Sequence, residues 1–305
     1  MNDVPAMDPA RILVTGSSGL VGRHFRAHCG GIPLADANGR VDLRDRERVR
    51  SAVAAIQPQA VLHLAAQSSV AHSFEDPSST MEVNYFGTSH LLEALRSTGF
   101  SGTFLYVGSA DVYGRMKDED LPARETQPLR PRSPYAVSKV AAEALCYQWS
   151  QTERFRIVLA RPFNQIGPGQ NPRFAVASFA RQIAGIAGGK EPTVTTGDLD
   201  ITRDFTDVRD TVRAYRRLIE AGENGEIYNL CSGKERSLRS ILHRMLEISG
   251  VRAEIQVDSS RLRPGEQRRM VGDPGKIRNA IGWSAEIPID TTLTDILQQA
   301  KENCE

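Results

Sequence analysis

Cysteine is scarce. Cys29, Cys146, Cys231 and Cys304 are the only four among 305 residues. No two lie at Cys-x-x-Cys spacing, and no histidine joins them at ligand spacing. A disulfide scaffold and a zinc module are therefore excluded, and reduced thiols in a cytoplasmic protein are expected. Long apolar runs are also missing. None reaches the roughly 18 residues that a membrane helix needs. Met1–Ala10 has neither a basic region nor an apolar stretch, so no signal peptide is expected. Charge of one sign is absent as well: 38 Lys and Arg against 37 Asp and Glu leave a formal +1. That balance carries no general footprint for nucleic acid or an anionic membrane. Local basic groups can still hold a small anionic ligand. His24 and His28 stand four apart on an expected helix, but no acidic residue nearby completes a metal set, so no metal is expected.

What is present is the ordinary globular mixture, 40% hydrophobic and 25% charged. Arg11–Thr15, Ala60–Leu64, Thr103–Val107 and Arg156–Ala160 are short apolar runs that read as buried strands. Helices are expected at Leu20–Cys29, near Met81–Ser97 and at Tyr135–Ser150 between them. Strands alternating with helices imply right-handed crossovers and an α/β, Rossmann-type doubly wound parallel sheet. After residue 162 the rhythm weakens. Gly167, Pro168, Gly169, Pro172, Gly188, Gly189 and Pro192 break the chain. Helices near Phe174–Ala187, Thr211–Ala221 and Ser237–Ser249 interrupt these loops. The division is a dinucleotide-binding domain over 10–165, returning near 204–231. A smaller mixed C-terminal substrate lobe takes 166–203 and 232–305.

Gly16, Gly19 and Gly22 follow a strand and open a helix. The spacing GxxGxxG is one residue longer in its first gap than the common dinucleotide fingerprint. The physics is the same. Gly16 permits the turn, Gly19 lets backbone approach a pyrophosphate, and Gly22 lets helix and strand pack closely. The helix N-terminus then offers N–H groups to phosphate. Asp36, about 20 residues on where the second strand should end, can accept from a ribose 2′-hydroxyl, which favours NADH. Arg40 can hold a 2′-phosphate, which favours NADPH. Both readings stay open, beside a solvated loop. Asp42 and Leu43 meet the adenine or cap the next helix.

Tyr135 and Lys139 are four apart on one helix face. An ammonium beside a phenol, with an oxidised nicotinamide nearby, stabilises phenolate and draws the group toward the range of an acid/base catalyst. Ser109 lies just past a strand, at the carboxyl edge where such sheets bind ligands. A hydroxyl there can hold a carbonyl oxygen. The set fits hydride transfer to or from a carbon bearing oxygen.

TGSSGLVG, HLAAQSSV, SADVYG, YAVSK, RPFNQIGPGQ and TRDFTDV occur in this order between about Arg11 and Trp283. Together they resemble the extended short-chain dehydrogenases/reductases that act on nucleotide sugars. The longer runs around residues 63–77, 100–114 and 161–184 look most like GDP-mannose 4,6-dehydratases and their reductase relatives. The resemblance implies a cytoplasmic homodimer built through two helices per subunit, a Rossmann domain, and a sugar-nucleotide lobe. It also implies NADPH or NADH as cofactor and a GDP-linked 4-keto-6-deoxy sugar as substrate, with use in lipopolysaccharide assembly.

The same resemblance assigns roles. Gly16, Ser18, Gly19, Leu20, Val21 and Gly22 would hold the cofactor phosphates. Leu64, Ala65, Ala66 and Pro162 would line its groove. Tyr135 would donate the proton, Lys139 would bind the nicotinamide ribose, and Ser109 would orient the sugar C4 oxygen. Gln67, Ser68, Asp111, Asn164 and Glu266 would contact substrate. Arg203 and Arg263 would grip the diphosphate, where paired guanidinium hydrogen bonds suit two charges. Arg181 and Gln182 would read guanine. A dehydratase needs an acid and a base beside the hydroxyl, and here Ala110 cannot transfer a proton while Asp111 is one methylene short of glutamate. Reduction of the C4 ketone to GDP-D-rhamnose is thus the first reading. A 4-epimerase, a dehydratase, a reductase giving GDP-6-deoxytalose, and a non-catalytic dinucleotide binder are the alternatives.

Overall fold

The computed structural model describes residues 8, 11–261 and 267–303. Six strands make the central sheet: β1 (Ile12–Thr15), β2 (Ile32–Pro33), β3 (Ala60–His63), β4 (Thr103–Val107), β5 (Arg156–Pro162) and β6 (Ile227–Leu230). Their spatial order is β6-β5-β4-β3-β1-β2, and every pairing is parallel. Parallel neighbours need crossovers, and helices supply them on both faces.

Residue alternation decides which face each side chain serves. Leu13, Val61, Phe104, Tyr106, Ile157 and Leu159 point into one layer. There they meet α2 (Arg46–Ile56), α3 (Gly87–Ser97) and α4 (Pro134–Thr152). Ile12, Val14, Leu62, Leu105, Val158 and Ala160 point into the other layer, toward α1 (Leu20–Cys29) and α5 (Val208–Ala221). With both faces covered, the strands read as continuous apolar runs rather than alternating ones.

The chain order reverses between β1 and β3, because β2 lies on one side of β1 and β3 on the other. Such a switch point opens a crevice at the carboxyl ends of the strands, where ligands bind.

A third core fills the C-terminal part. Helices Ala175–Ala187, Leu238–Ser249 and Ile289–Glu302 contribute Phe179, Ile183, Leu242, Met245, Leu293 and Ile296 to it. Thr202–Asp207 pairs antiparallel with Glu235–Ser237 and parallel with Asn164–Ile166 and Arg269–Met270, so this sheet is mixed. A small cluster of Ala110, Val112, Tyr113, Phe163, Cys231 and Met270 joins it to the strand ends of the central sheet.

Two expectations need correction. The second sheet strand is only Ile32–Pro33, and Asp36 sits beyond it in an antiparallel hairpin of Ala35–Asp36 with Gly39–Arg40. Pro33 cannot donate to a ladder, which ends the strand early. The helix expected near Met81–Ser97 is three pieces: Pro77–Met81, a wide turn at Glu82–Phe86 with i→i+5 bonding, and α3. Among the described residues no helix is long and apolar enough to cross a membrane, and no cluster of three metal-ligating side chains occurs. His24 and His28 stack on each other, and His24 hydrogen-bonds the Pro168 carbonyl instead of facing solvent. Cys29, Cys146 and Cys231 are free thiols.

Candidate active site

The glycine turn lies directly on the backbone after β3. A Cβ on Gly16 would come within 2.8 Å of the Ala65 nitrogen, and Gly16 has φ +65. One on Gly22 would stand 2.4 Å from the Gly16 carbonyl oxygen. Larger residues cannot occupy either position without moving main chain. Gly19 caps α1 and offers no side-chain hydrogen bond to it. The first-turn N–H groups of α1 therefore have no side-chain cap, which is what a phosphate requires. A dinucleotide pyrophosphate fits this cradle. Leu64, Ala65 and Ala66 border it, and the Ala65 N–H donates to Thr15 Oγ1 at 3.1 Å.

A buried histidine holds that border in place. His63 lies between Thr15 Oγ1 at 2.8 Å from Nδ1 and Thr88 Oγ1 at 2.9 Å from Nε2. Thr88 donates its own proton to the Asn84 carbonyl, so it must accept from Nε2–H, and Nδ1 must accept from Thr15. Burial, helped by the Lys139 charge, pushes His63 down to about 3, which keeps it neutral.

The side chains on which the two cofactor readings turn have different partners. Arg48 clamps both Asp36 oxygens, at 2.9 Å each, and holds that carboxyl below its usual range. Asp36 is thus already engaged. Arg40 instead turns to the phosphate loop and donates to Ser18 Oγ. Asp42 is taken by Arg44, and Asp45 rather than Asp42 caps α2. Leu43 is buried, with its Cβ beneath Gly87, so its side chain packs into the core.

At the other end, Ser109, Asp111, Pro162, Asn164 and Arg203 line one cavity of about 160 Å³, together with Gln267 and Met270. Ser109 ends the loop after β4 and caps a short 3-10 turn, Ala110–Tyr113, by accepting from the Asp111 N–H. Pro134 starts α4 and Ser133 caps it, which sets Tyr135 in the first turn. Burial first, then the Asp111 carboxylate, pushes the Tyr135 phenol well above its usual range, against the opposing pull of the Ser109 hydroxyl. Desolvation dominates, so the protein environment alone favours the protonated phenol. Lys139 donates to the Val107 carbonyl at 2.8 Å, and burial brings it down to about 8.

Other expected contacts fall elsewhere. Gln67 curls back to Ser69 and Thr80, away from the cavity. Ser68 takes a long contact of 3.4 Å from Arg173. Arg181 is exposed on its helix and outside the cavity wall. Gln182 is spent on both backbone groups of Thr195, so it has no amide left to read a base. Arg263 and Glu266 lie outside the described residues. Leu20 and Val21 begin α1 beside the glycine turn.

Sequence reasoning missed Asn84 and Gln267. Asn84 lies in the wide turn before α3. It accepts from the Gln67 N–H and donates to Ser138 Oγ, tying the loop after β3 to the helix of Tyr135. An asparagine within a helical stretch, where it is a poor former, was the available signal. Gln267 donates to the Met116 and Arg269 carbonyls while its Oε1, buried, has no partner. No periodic pattern marks it.

Comparison with known proteins agrees with this geometry. The family model for GDP-mannose 4,6 dehydratase matches residues 38–296. The chain belongs to the GDP-mannose 4,6-dehydratase family of extended short-chain dehydrogenases/reductases. Within this family it is 44% identical to GDP-6-deoxy-D-mannose reductase of Pseudomonas aeruginosa, over 94% of this chain and 96% of that one. It is 29% identical to GDP-mannose 4,6-dehydratase of Yersinia enterocolitica, over 93% of this chain and 82% of the other. Among solved structures, RMD from Pseudomonas aeruginosa complexed with NADPH matches with a TM-score of 0.90 and 43% identity, covering 96% and 99% of the two chains. UDP-glucose 4-epimerase of Thermus thermophilus, complexed with NAD, gives 0.83 at 32% identity, covering 95% and 99%.

Proposed function

We propose that the protein is an NADPH-dependent nucleotide-sugar 4-reductase that converts GDP-4-keto-6-deoxy-D-mannose to GDP-D-rhamnose. One observation carries the reading: Ser109 and Asp111, which line the cavity, are also the two side chains that act on the buried Tyr135 phenol. The 44% identity to a GDP-6-deoxy-D-mannose reductase supports the same substrate class. When bound, reduced nicotinamide supplies the hydride. Ser109 holds the C4 oxygen. Tyr135 donates its proton to that oxygen as negative charge develops there, and the Lys139 ammonium steadies the charge. The ketone gains one hydride at carbon and one proton at oxygen, and the cofactor is oxidised by two electrons. Arg203 and Arg263 grip the diphosphate, and Asn164, Asp111 and Glu266 meet sugar or ribose hydroxyls.

The preference for NADPH rests on Arg40 at Ser18 and on Asp36 being engaged by Arg48. A dehydratase reading is disfavoured because Ala110 is a buried methyl group and leaves Asp111 as the only carboxyl group on this turn. The protein works as a cytoplasmic homodimer, with the helices at 77–97 and 134–152 as its contact face. Free thiols suit a reducing compartment. The lobe of 166–203 and 232–305 takes the sugar nucleotide.

The test is incubation with GDP-4-keto-6-deoxymannose and either reduced cofactor, followed by the C4 configuration of the product. Stoichiometric loss of nicotinamide absorbance and a rhamno product are expected. No net redox change would point to an epimerase. Tyr135→Phe should lose roughly 10²- to 10⁴-fold in kcat while still binding both ligands. Wild-type turnover in that variant would reject the assignment.

A further inference from the structure

Behind the cavity lies a buried ion pair that the chemistry above does not use. Glu143 and Arg161 are 4% and 2% exposed. Arg161 Nε donates to Glu143 Oε2 at 2.9 Å and its Nη2 to Oε1 at 2.6 Å. The remaining arm, Nη1, donates to the Tyr113 hydroxyl at 3.0 Å and to the Glu125 carbonyl at 3.1 Å. Tyr113 in turn donates to Asn229 Oδ1 at 2.6 Å, and its ring lies 5.0 Å from the guanidinium. Asn229 is anchored through its own amide to the Ala123 carbonyl.

Each partner belongs to a different segment of the site. Tyr135, Lys139 and Glu143 succeed one another at four-residue steps along α4, so they share one face. Tyr113 closes the turn that starts at Ser109 and carries Asp111. Arg161 immediately precedes Pro162, and Asn164 is three residues on; both line the cavity. Only the planar fork of arginine reaches three acceptors on three segments at once; a lysine ammonium is a single point.

We infer that Arg161 is a positioning residue. Its guanidinium, paired with Glu143 and Tyr113, sets the helix of Tyr135 and Lys139 against the turn of Ser109 and Asp111. This inference rests on the reductase reading. The pair is poorly explained by stability alone. Burying two charges is expensive, and replacing both with apolar side chains of similar volume is often neutral for stability. Orientation is different. Reacting groups misplaced by about 1 Å lose roughly 10²-fold in rate.

The experiment compares wild type, the double variant Arg161→Met with Glu143→Leu, and Tyr113→Phe. The double variant removes both charges together, so no buried ion is stranded. Thermal melting, NADPH affinity by fluorescence, and kcat and KM for the keto sugar nucleotide are measured. The expected result is near-wild-type melting, NADPH affinity and KM, with kcat down roughly 10- to 100-fold in the double variant. Tyr113→Phe should lose kcat in the same sense, by less, and it carries the test if the double variant does not fold. Unchanged kcat in a folded variant overturns the positioning role and leaves the reductase reading intact. So does a loss of kcat that only follows the folded fraction. Absence of NADPH oxidation by the wild type overturns the reductase reading, and the positioning role with it.

Discussion

Lys139 carries opposite consequences for rate and for stability. Burial brings its ammonium down to about 8, so it is charged below that pH and neutral above. The charge is what steadies the oxygen during reduction. The rate should therefore fall as pH rises through about 8, read from kcat between pH 6.5 and 9.5. Stability moves the other way. In the unfolded chain the group titrates at its ordinary value near 10.5, so between 8 and 10.5 the unfolded state binds more protons than the folded one. Lys139 thus adds stability that is full above about 10.5 and lost as pH falls through about 8. Buried Cys146 and Cys231, whose thiols burial pushes up, act with the opposite sign in the same window, so the test is a difference. Between pH 7.5 and 9.5, denaturant titrations should show stability changing more favourably in the wild type than in Lys139→Met; identical pH dependence in the two proteins contradicts the buried, cationic assignment. Arg40 is a second single-residue test. If it holds a 2′-phosphate beside Ser18, Arg40→Met should raise the Kd for NADPH by roughly tenfold, the scale of a hydrogen bond to a charged group, and leave NADH binding unchanged. Equal effects on both cofactors would return the choice to Asp36.

At the scale of elements, what was legible in the sequence followed from one-dimensional patterns. The glycine turn, β1, α1, β4 and the helix of Tyr135 were readable because a parallel strand buried on both faces is a continuous apolar run, and because glycines mark where backbone must approach backbone. Ile12–Thr15 and Thr103–Val107 show no exposed position. The second strand was misplaced because two residues, one of them Pro33, carry no pattern, and the ion pair of Asp36 was unreadable because its partner, Arg48, is a turn into the next helix. Gln67 and Gln182 look free in a string of letters, yet each is consumed by a neighbouring backbone. The wide turn at Glu82–Phe86 was invisible for a related reason: its cost is met by a tertiary partner, Asn84, bonded to segments 17 and 54 residues away. Extra backbone turns of this kind cluster at functional sites. Asn84→Ala leaves the Gln67 N–H and Ser138 without their partner. It should destabilise the protein by about 1–3 kcal/mol, seen as a drop of several degrees in Tm. An unchanged Tm would mean the turn stands without that side chain.

Over the whole molecule, a parallel sheet places every loop that carries chemistry at one edge. The glycine turn after β1, the Leu64–Ala66 segment after β3, Ser109 after β4 and Pro162 at the end of β5 all lie there because the strands run the same way. The C-terminal core closes over that edge through Phe163 and Met270. Some apolar surface stays outside. Phe86 and Tyr147 are each 51% exposed and Val137 47%, on the two helical segments proposed above as the contact face. Exposed large apolar side chains suit an association surface. A symmetric dimer through it would pack α4 of each subunit against its copy and stiffen the helix that carries Tyr135. Val137→Glu with Tyr147→Glu places four carboxylates in such an interface, two from each subunit, at positions too exposed to disturb the monomer core. The wild type should sediment as a dimer and the double variant as a monomer, with NADPH binding retained because both substituted side chains are exposed while Lys139 on the same helix is buried. A variant that still sediments as a dimer would move the contact to another face, and a wild type that sediments as a monomer would remove it altogether.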